Sequence, residues 1–422
     1  MTAATEASPR IAALDILRGV AVMGILAMNI ANFAMPQQAY MNPVAYGHEG
    51  PADLVAWAVN FVLVDGKMRG LFSFLFGASM LLVIERADAR DESPARVHFR
   101  RMLWLLLFGL AHFYFIWNGD ILTGYACVGM IAYFLRWKED GALLRIGFGL
   151  VIVQAAIFAM MTAGVAVAAS EAAQPGASAE ALRNWADIQR EIAMPDAAGV
   201  RASIALHDGS WIGLARHQLT QNAFNPVAMI AIYGWETLAY MLFGMWGLRS
   251  GFLTGGWDDA RYRKVAAIGF AITIPAYAAL AAIIWGSGFS AVALVACGMA
   301  VPALLRPVMV AAWAALIILL TRRGGALTGR IAAAGRAAFT NYLGTSILMT
   351  GLFYGWGFGL FGDLRRIELW IVVAAMWAVM LLWSKPWLER FRYGPFEWLW
   401  RSLSRWEIQP MRRRAEIAAA AA

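Results

Sequence analysis

Residues 265–305 read VAAIGFAITIPAYAALAAIIWGSGFSAVALVACGMAVPALL, with no Asp, Glu, Lys, Arg or His among them. A helix crosses a hydrocarbon core in about 20 mostly apolar residues. This run is about twice that length, and Gly286-Ser287-Gly288 near its middle supplies a turn. It therefore reads as two adjacent membrane-spanning helices.

The rest of the chain agrees with that reading. Of its 422 residues, 61% are hydrophobic and 15% charged, and mean hydropathy is +0.59. Soluble globular chains sit near 45–50% apolar and about 25% charged. A soluble enzyme, a disordered regulator and a disulfide-stapled secreted domain are excluded on these grounds. The 19 Trp and 23 Phe suit a chain with many membrane–water boundaries. The same reading along the whole sequence predicts about ten spans: 11–33, 68–84, 102–117, 120–136, 146–169, 226–248, 265–285, 291–320, 337–358 and 367–384. The expected fold is an all-α polytopic transmembrane helix bundle. The apolar stretch 53–65, between Asp53 and Asp65, is short and is read as an interfacial or re-entrant helix; if it crosses, 34–52 change sides. The first span is read as an uncleaved helix, because Asp15 and Arg18 interrupt what would be a signal-peptide apolar core.

Net charge is +8. In a soluble protein this would raise nucleic acid as a partner. Here the distribution points to sidedness, and no nucleic-acid partner is expected. Of the 35 Lys and Arg, 25 fall in the N-terminus, the segments 85–101, 136–145, 249–264 and 321–336, and the tail from 385. Eight fall on the opposite side, and Arg18 and Arg306 lie inside spans. The positive-inside rule then places both termini in the cytoplasm. The division that follows is an N-terminal transmembrane part (1–169), an extracytoplasmic helical cap (170–225, with amphipathic stretches at 181–191 and 203–221), a C-terminal transmembrane part (226–384) and a basic, aromatic cytoplasmic tail (385–422). Cys127 and Cys297 both lie in apolar stretches, so neither a disulfide nor a metal site is expected.

Polar groups inside spans are costly and mark function or helix packing. Asp15, Arg18, Asn29 and Asn32 share an arc of about 100° on the first helix. They must face the bundle interior or a water-filled cavity. Asp15 and Arg18, three residues apart, are spaced to pair. After this helix, Tyr46-Gly47-His48-Glu49-Gly50-Pro51 sets a sterically open His48 beside the membrane, a candidate general base or nucleophile that Glu49 and Asp53 could orient. Lys67 and Arg69 are candidates for holding an anion, with snorkelling to lipid phosphate as the alternative. His112 reads better as a hydrogen-bonded core histidine, and Asp120 as the N-cap of the next helix. Glu236 and Arg306 lie mid-span and could pair. Asn341 belongs to Thr340-Asn341-Tyr342, where helix–helix hydrogen bonding is the default role. There is no phosphate-binding Gly-rich loop, His-Glu-x-x-His, Gly-x-Ser-x-Gly or haem motif.

Several of these stretches also carry a resemblance. Leu14-Asp15-Ile16-Leu17-Arg18-Gly19 with Asn29-Ile30, Asp65-Gly66-Lys67-Met68-Arg69-Gly70-Leu71-Phe72-Ser73, Trp117-Asn118-Gly119-Asp120, Gly335-Arg336-Ala337-Ala338-Phe339-Thr340-Asn341-Tyr342 and Phe391-Arg392-Tyr393-Gly394-Pro395-Phe396-Glu397-Trp398 together resemble the YeiB-type family of uncharacterised bacterial membrane proteins (domain of unknown function 418). The likeness covers nearly the whole chain and implies a bacterial cytoplasmic (inner) membrane. That family is in turn distantly similar to heparan-alpha-glucosaminide N-acetyltransferase and the membrane acyltransferase-3 proteins. In the former, Asp-x-x-Arg-Gly leads to an Asn and then to a loop His that serves acetyl transfer. Carried over by position, these are Asp15, Arg18, Asn29 and His48; the stretch Asp65–Gly70 reads as an insertion.

The resemblance implies a transmembrane acyltransferase, moving an acyl group from cytoplasmic acyl-CoA (acetyl-CoA) to an extracytoplasmic sugar or lipid-linked acceptor. His48 and Asn29 would be catalytic. Asp15, Arg18, Asn32, Lys67, Arg69, Asp120, Glu236 and Asn341 would bind substrate or hold structure. No tightly bound cofactor and no metal are expected, and the expected partners are membrane lipids, donor and acceptor. The alternative is a secondary transporter or flippase using Glu236, Arg306 and Asp15. A third reading is a non-enzymatic partner of another membrane protein.

Overall fold

The structure, a computed structural model, describes residues 11–413; both chain termini, including the end of the basic tail, lie outside the described residues. Helix α1 (Ala12–Ala34) ends where Met35 precedes Pro36, because the ring of a proline forces its predecessor out of helical geometry; Met35 is extended. Two short 3₁₀ turns follow, Gln37–Tyr40 and Pro43–Ala45, the second capped by the Asn42 side chain. Helix α2 (Pro51–Leu63) starts on a proline at its first position, and the Asp53 carboxylate accepts the main-chain N–H groups of Glu49 (3.0 Å) and Gly50 (3.2 Å). At about 20 Å it is too short to cross a bilayer alone. Val64–Gly66 turns the chain, with Gly66 at φ 70°, into α3 (Lys67–Asp88). Helix α4 (Pro94–Phe115) is capped by Ser93. The chain then doubles back into a short helix α5 (Leu122–Tyr133), followed by the long α6 (Asp140–Ala172).

Three short helices, α7 (Ala179–Ile188), α8 (Ala197–His207) and α9 (Trp211–Thr220), form the cap. The expected second amphipathic stretch, 203–221, is divided between α8 and α9, because Asp208-Gly209 breaks it and Ser210 caps a new helix. Then come α10 (Asn225–Arg249), α11 (Asp259–Gly286) and α12 (Ala291–Val295), which runs through a π-helical turn (Ala296–Ala300) into α13 (Val301–Thr321). Last are α14 (Ala326–Arg336), α15 (Ala338–Phe353), α16 (Leu369–Arg390) and α17 (Pro395–Arg405).

The protein is an all-α polytopic bundle. Among the described residues, seven helical segments are long and apolar enough to cross a membrane: Ala12–Ala34, Pro51–Asp88, Asp140–Ala172, Asn225–Arg249, Asp259–Gly286, Ala291–Thr321 and Leu369–Arg390. Each of the ten expected spans falls on a helix. The three outside this set are α4, whose first turns hold His98, Arg100 and Arg101, and the short α5 and α15. One end of the bundle gathers the start of α1, the loops rich in Lys and Arg, and α17; we call it the basic end. The other carries α7–α9 and is the cap end. The cap is seated by Trp211 Nε1 donating to the Phe115 carbonyl (2.6 Å), Tyr114 Oη to that of Ala223 (2.6 Å), and Asn42 Nδ2 to that of Ala193 (2.7 Å).

Helix α1 is largely buried at the centre, whereas α6 is mostly exposed on the periphery. Several helix contacts are close enough to require glycine, two of them at the heart of the packing. A Cβ on Gly244 of α10 would lie 1.9 Å from the Phe74 carbonyl oxygen of α3, and one on Gly335 of α14 would lie 1.8 Å from that of Asp15 in α1. Small residues that let backbones touch are how helices associate where no hydrophobic effect drives them together.

Candidate functional site

Two cavities lie one above the other beside α1. The cap-end cavity, about 300 Å³, has Asn29, Asn32, Asp65, Arg69, Asp120 and Arg306 among its polar walls. The basic-end cavity, about 270 Å³, is walled by Arg18, Arg86, Arg101, Arg336 and Arg401, with Asp15 and Glu397 as its carboxylates. Each is large enough to hold part of a small ligand. Tyr125 belongs to both walls. Its ring lies between Phe72 (centroids 5.8 Å apart) and Phe76 (5.3 Å), and its hydroxyl is held by Ser73 Oγ (2.9 Å) and the Arg69 carbonyl (3.3 Å). Tyr125 is the one residue common to the two linings.

The polar stripe of α1 faces inward along its length, but it serves two cavities. Asp15 and Arg18 pair (3.1 Å) at the basic end, where Arg18 also donates to Ser79 Oγ (2.6 Å). Asn29 and Asn32 open on the cap end, about 21 Å further along the helix at 1.5 Å per residue.

The cavities differ in charge. The cap-end walls balance two arginines against Asp65 and Asp120. Asp65 accepts a hydrogen bond from the Tyr40 hydroxyl, and Gly66, next to it, sends its N–H to Met28 Sδ (3.3 Å), which sets Asp65 beside the Asn29 turn. Arg69 and Arg306 bind opposite oxygens of Glu236, whose Oε1 also accepts from Tyr240 Oη (2.9 Å). Glu236 is itself fully buried and lines neither cavity. The basic end sets five arginines against two carboxylates. Its floor is α17: the Arg101 guanidinium lies 4.1 Å from the Trp400 ring, and Trp400 Nε1 donates to the Arg101 carbonyl (3.0 Å). The tail from 385 thus does more than lie beside the membrane; part of it packs on α4 and closes the cavity. Burial raises the Glu397 carboxyl above the ordinary glutamate range, against the pull of its hydrogen bonds from Thr340 and Phe339.

The other candidates are placed elsewhere. His48 sits half-buried in the loop before α2 and lines neither cavity; its Nδ1 is buried without a hydrogen-bond partner among the described residues. Asp53 does not orient it: beyond the N–H groups at the start of α2, Asp53 accepts the Ile367 N–H (2.9 Å), while Glu49 reaches Arg365 (3.5 Å). Lys67 is in the core, donating to the Phe61 carbonyl with its ammonium 3.5 Å from the Tyr277 ring centroid. Asn341 ties helices together, donating to the Ala334 carbonyl (3.0 Å) and Ser384 Oγ (3.2 Å) and accepting from Trp383 Nε1 (2.9 Å).

One further constellation appears. His112 Nδ1 lies 2.9 Å from Asp120 Oδ1, while Asp120 Oδ2 accepts the Thr123 N–H (2.8 Å) and so caps α5 as expected. His112 Nε2 is buried with no hydrogen-bond partner among the described residues. The signal in the sequence was a histidine near the end of a helix followed, after Asn118-Gly119, by an aspartate: the turn brings the two side chains together.

These features define a class: polytopic α-helical integral membrane proteins with a polar cavity towards each end of the bundle. Within that class the chain belongs to the DUF418 (YeiB) family. The family's sequence model, described as "Protein of unknown function (DUF418)", matches residues 247–407. The chain is 32% identical over 404 residues to "Uncharacterized protein YeiB" of Escherichia coli (strain K12), covering 93% of this chain and 95% of that one. It is 29% identical over 425 residues to "Uncharacterized protein YxaH" of Bacillus subtilis (strain 168), with 98% of each chain covered. No solved structure matches.

Proposed function

We propose that this protein is a transmembrane acyltransferase, taking an acyl group from acyl-CoA at the basic end and passing it to an acceptor held at the cap end. The observation that carries this reading is the pair of cavities meeting at Tyr125, with cationic walls on one side and a charge-balanced, amide-bearing wall on the other. The surplus of Lys and Arg in the loops favours the cytoplasmic side of a bacterial inner membrane for the basic end, and acyl-CoA is found there. Planar guanidinium groups suit the donor's phosphates, binding them in bidentate fashion. Asn29 lies at the cap-end wall, where its amide N–H can meet the oxyanion that develops on the acyl carbonyl. The acceptor is then an extracytoplasmic sugar or a lipid-linked molecule. His48, outside both cavities, has no part in this scheme.

The rival transporter reading, in which Glu236, Arg306 and Asp15 couple movement to ions, has less support. Glu236 has both oxygens committed to arginines and faces neither cavity.

The test is binding. Purified protein should gain thermal stability with acetyl-CoA, and with CoA itself, in proportion to the logarithm of ligand concentration. Arg18→Gln with Arg101→Gln should abolish the gain. Equal stabilisation by inorganic phosphate, or none by either nucleotide at millimolar concentration, would overturn the reading.

A further inference from the structure

If acyl transfer proceeds as proposed, on which this inference rests, one proton has to be managed where the two cavities meet. The C–S bond of the thioester breaks and leaves a thiolate. A C–O or C–N bond forms to the acceptor, which loses its proton. The balance closes when that proton is taken up by a base during attack and returned to the sulfur. The base must therefore stand where both cavities can be served.

We infer that His112 is that acid–base residue, with Asp120 as its positioning partner. His112 itself lines neither cavity, but unlike His48 it is in contact with a wall residue of each. Asp120, bound to its Nδ1, lines the cap-end cavity. Tyr342, whose ring centroid is 5.3 Å from that of His112, lines the basic-end cavity. The two neighbours are themselves joined across the turn: the Ile121 N–H, next to Asp120, donates to the Tyr342 hydroxyl (3.3 Å).

The pair has the chemistry of an orienting carboxylate and a base. Asp120 Oδ1 holds Nδ1, so the lone pair or proton that reacts is on Nε2, across the ring and away from the carboxylate. Nε2 is buried and meets no donor or acceptor among the described residues. A buried polar atom left without a partner in a native fold calls for an explanation, and a redox or catalytic role is one. A histidine within the membrane part of a protein is a functional group by default. Beside it is a third, small cavity of about 10 Å³ walled by Asn29, Trp117, Tyr342 and Thr345, in which Trp117 Nε1 and Thr345 Oγ1 also lack partners among the described residues. Asn29 lines both this pocket and the cap-end cavity. Trp117 and Tyr342, which wall this pocket with Asn29, are also the ring neighbours of His112, and so link the proposed oxyanion donor to the proposed base.

Hydrolysis of acetyl-CoA, with water as acceptor and the freed thiol as readout, tests this without knowledge of the natural acceptor. His112→Gln should still be stabilised by acetyl-CoA as wild type is, with KM for the donor changed less than about threefold, while kcat falls at least about 100-fold, the usual contribution of a positioned base. His112→Gly should recover at least about tenfold of its lost rate with added imidazole, a rescue that a purely structural histidine would not give. Asp120→Asn should lower kcat less than His112→Gln does. A His112→Gln protein that binds donor and turns over within about threefold of wild type overturns the assignment and leaves the acyltransferase reading standing, as does a folded His112→Gly protein that imidazole does not rescue. Donor binding by the wild type with no detectable thiol release overturns both.

Discussion

Glu397 and Thr340 cap each other's helices. The Glu397 carboxylate accepts the main-chain N–H groups of Phe339 (2.7 Å) and Thr340 (3.1 Å) at the start of α15, and the Thr340 hydroxyl; Thr340 Oγ1 in turn accepts the Phe396 N–H (3.0 Å) at the start of α17. This reciprocal arrangement docks α17 over the basic-end cavity. Removing one partner leaves buried donors unsatisfied, at a cost of about 1–3 kcal/mol. Glu397→Ala should therefore raise hydrogen exchange throughout α17 and the first turn of α15, with exchange in α10 unchanged.

The same carboxylate makes docking depend on pH. Burial raises the Glu397 carboxyl above its usual 4.5. A carboxyl raised in the folded state contributes its full stability below the unfolded value and loses it as pH rises through the folded value. Docking of α17 should thus weaken as pH rises above the ordinary 4.5 of a glutamate. Glu397→Gln should flatten that dependence, as followed by the exchange rate in α17 relative to an α10 reference.

Glu236 carries a different burden. From a fully buried position it neutralises Arg69 and Arg306, which line the cap-end cavity. Breaking a buried pair by removing one partner costs about 3–5 kcal/mol, because the other charges stay behind uncompensated. Glu236→Ala should lower the melting temperature and the folded yield sharply. Replacing Glu236, Arg69 and Arg306 together by apolar residues should recover most of the loss.

What could be read from the sequence was whatever depends on local periodicity. Each expected span falls on a helix, and the inward stripe of Asp15, Arg18, Asn29 and Asn32 is where the 100° rotation per residue puts it. Asp120 caps α5 because capping involves only neighbours in the chain. What escaped the sequence depends on contacts between distant segments. No local rule shows that Arg69, 167 residues before Glu236, shares its carboxylate with Arg306, or that Glu397 reaches back to Thr340. His112 is the buried, hydrogen-bonded histidine that its place in a span suggests, but its pairing with Asp120 depends on the turn between them, and no local rule shows that His48 lies apart from both cavities.

Sidedness can be checked apart from chemistry. Ser93 caps α4 at the basic end and Ser210 caps α9 in the cap. In a background lacking Cys127 and Cys297, Ser93→Cys should react with a membrane-impermeant maleimide only after cells are opened. Ser210→Cys should react in intact cells once the outer membrane is permeabilised. Both replacements cost an N-cap, about 1 kcal/mol each, which the fold should tolerate. The reverse pattern would turn the donor cavity away from the cytoplasm and remove the basis for acyl-CoA as donor.

Asn29 and His48 separate the geometry from the resemblance. By resemblance both would be catalytic; by position only Asn29 lies at a cavity wall, where it also borders the small pocket beside Tyr342 and Trp117. Removing one oxyanion donor typically costs about 10²–10³ in kcat. Asn29→Ala should lower acetyl-CoA hydrolysis by about 100-fold with the thermal gain from donor intact. His48→Ala should stay within about twofold of wild type in both measurements, because loss of a side chain away from the reacting atoms leaves transition-state stabilisation unchanged. If His48→Ala instead abolishes turnover while donor still binds, the loop before α2 must move into the cap-end cavity during catalysis. The oxyanion role of Asn29 and the acid–base role of His112 would then have to be reassigned around that loop.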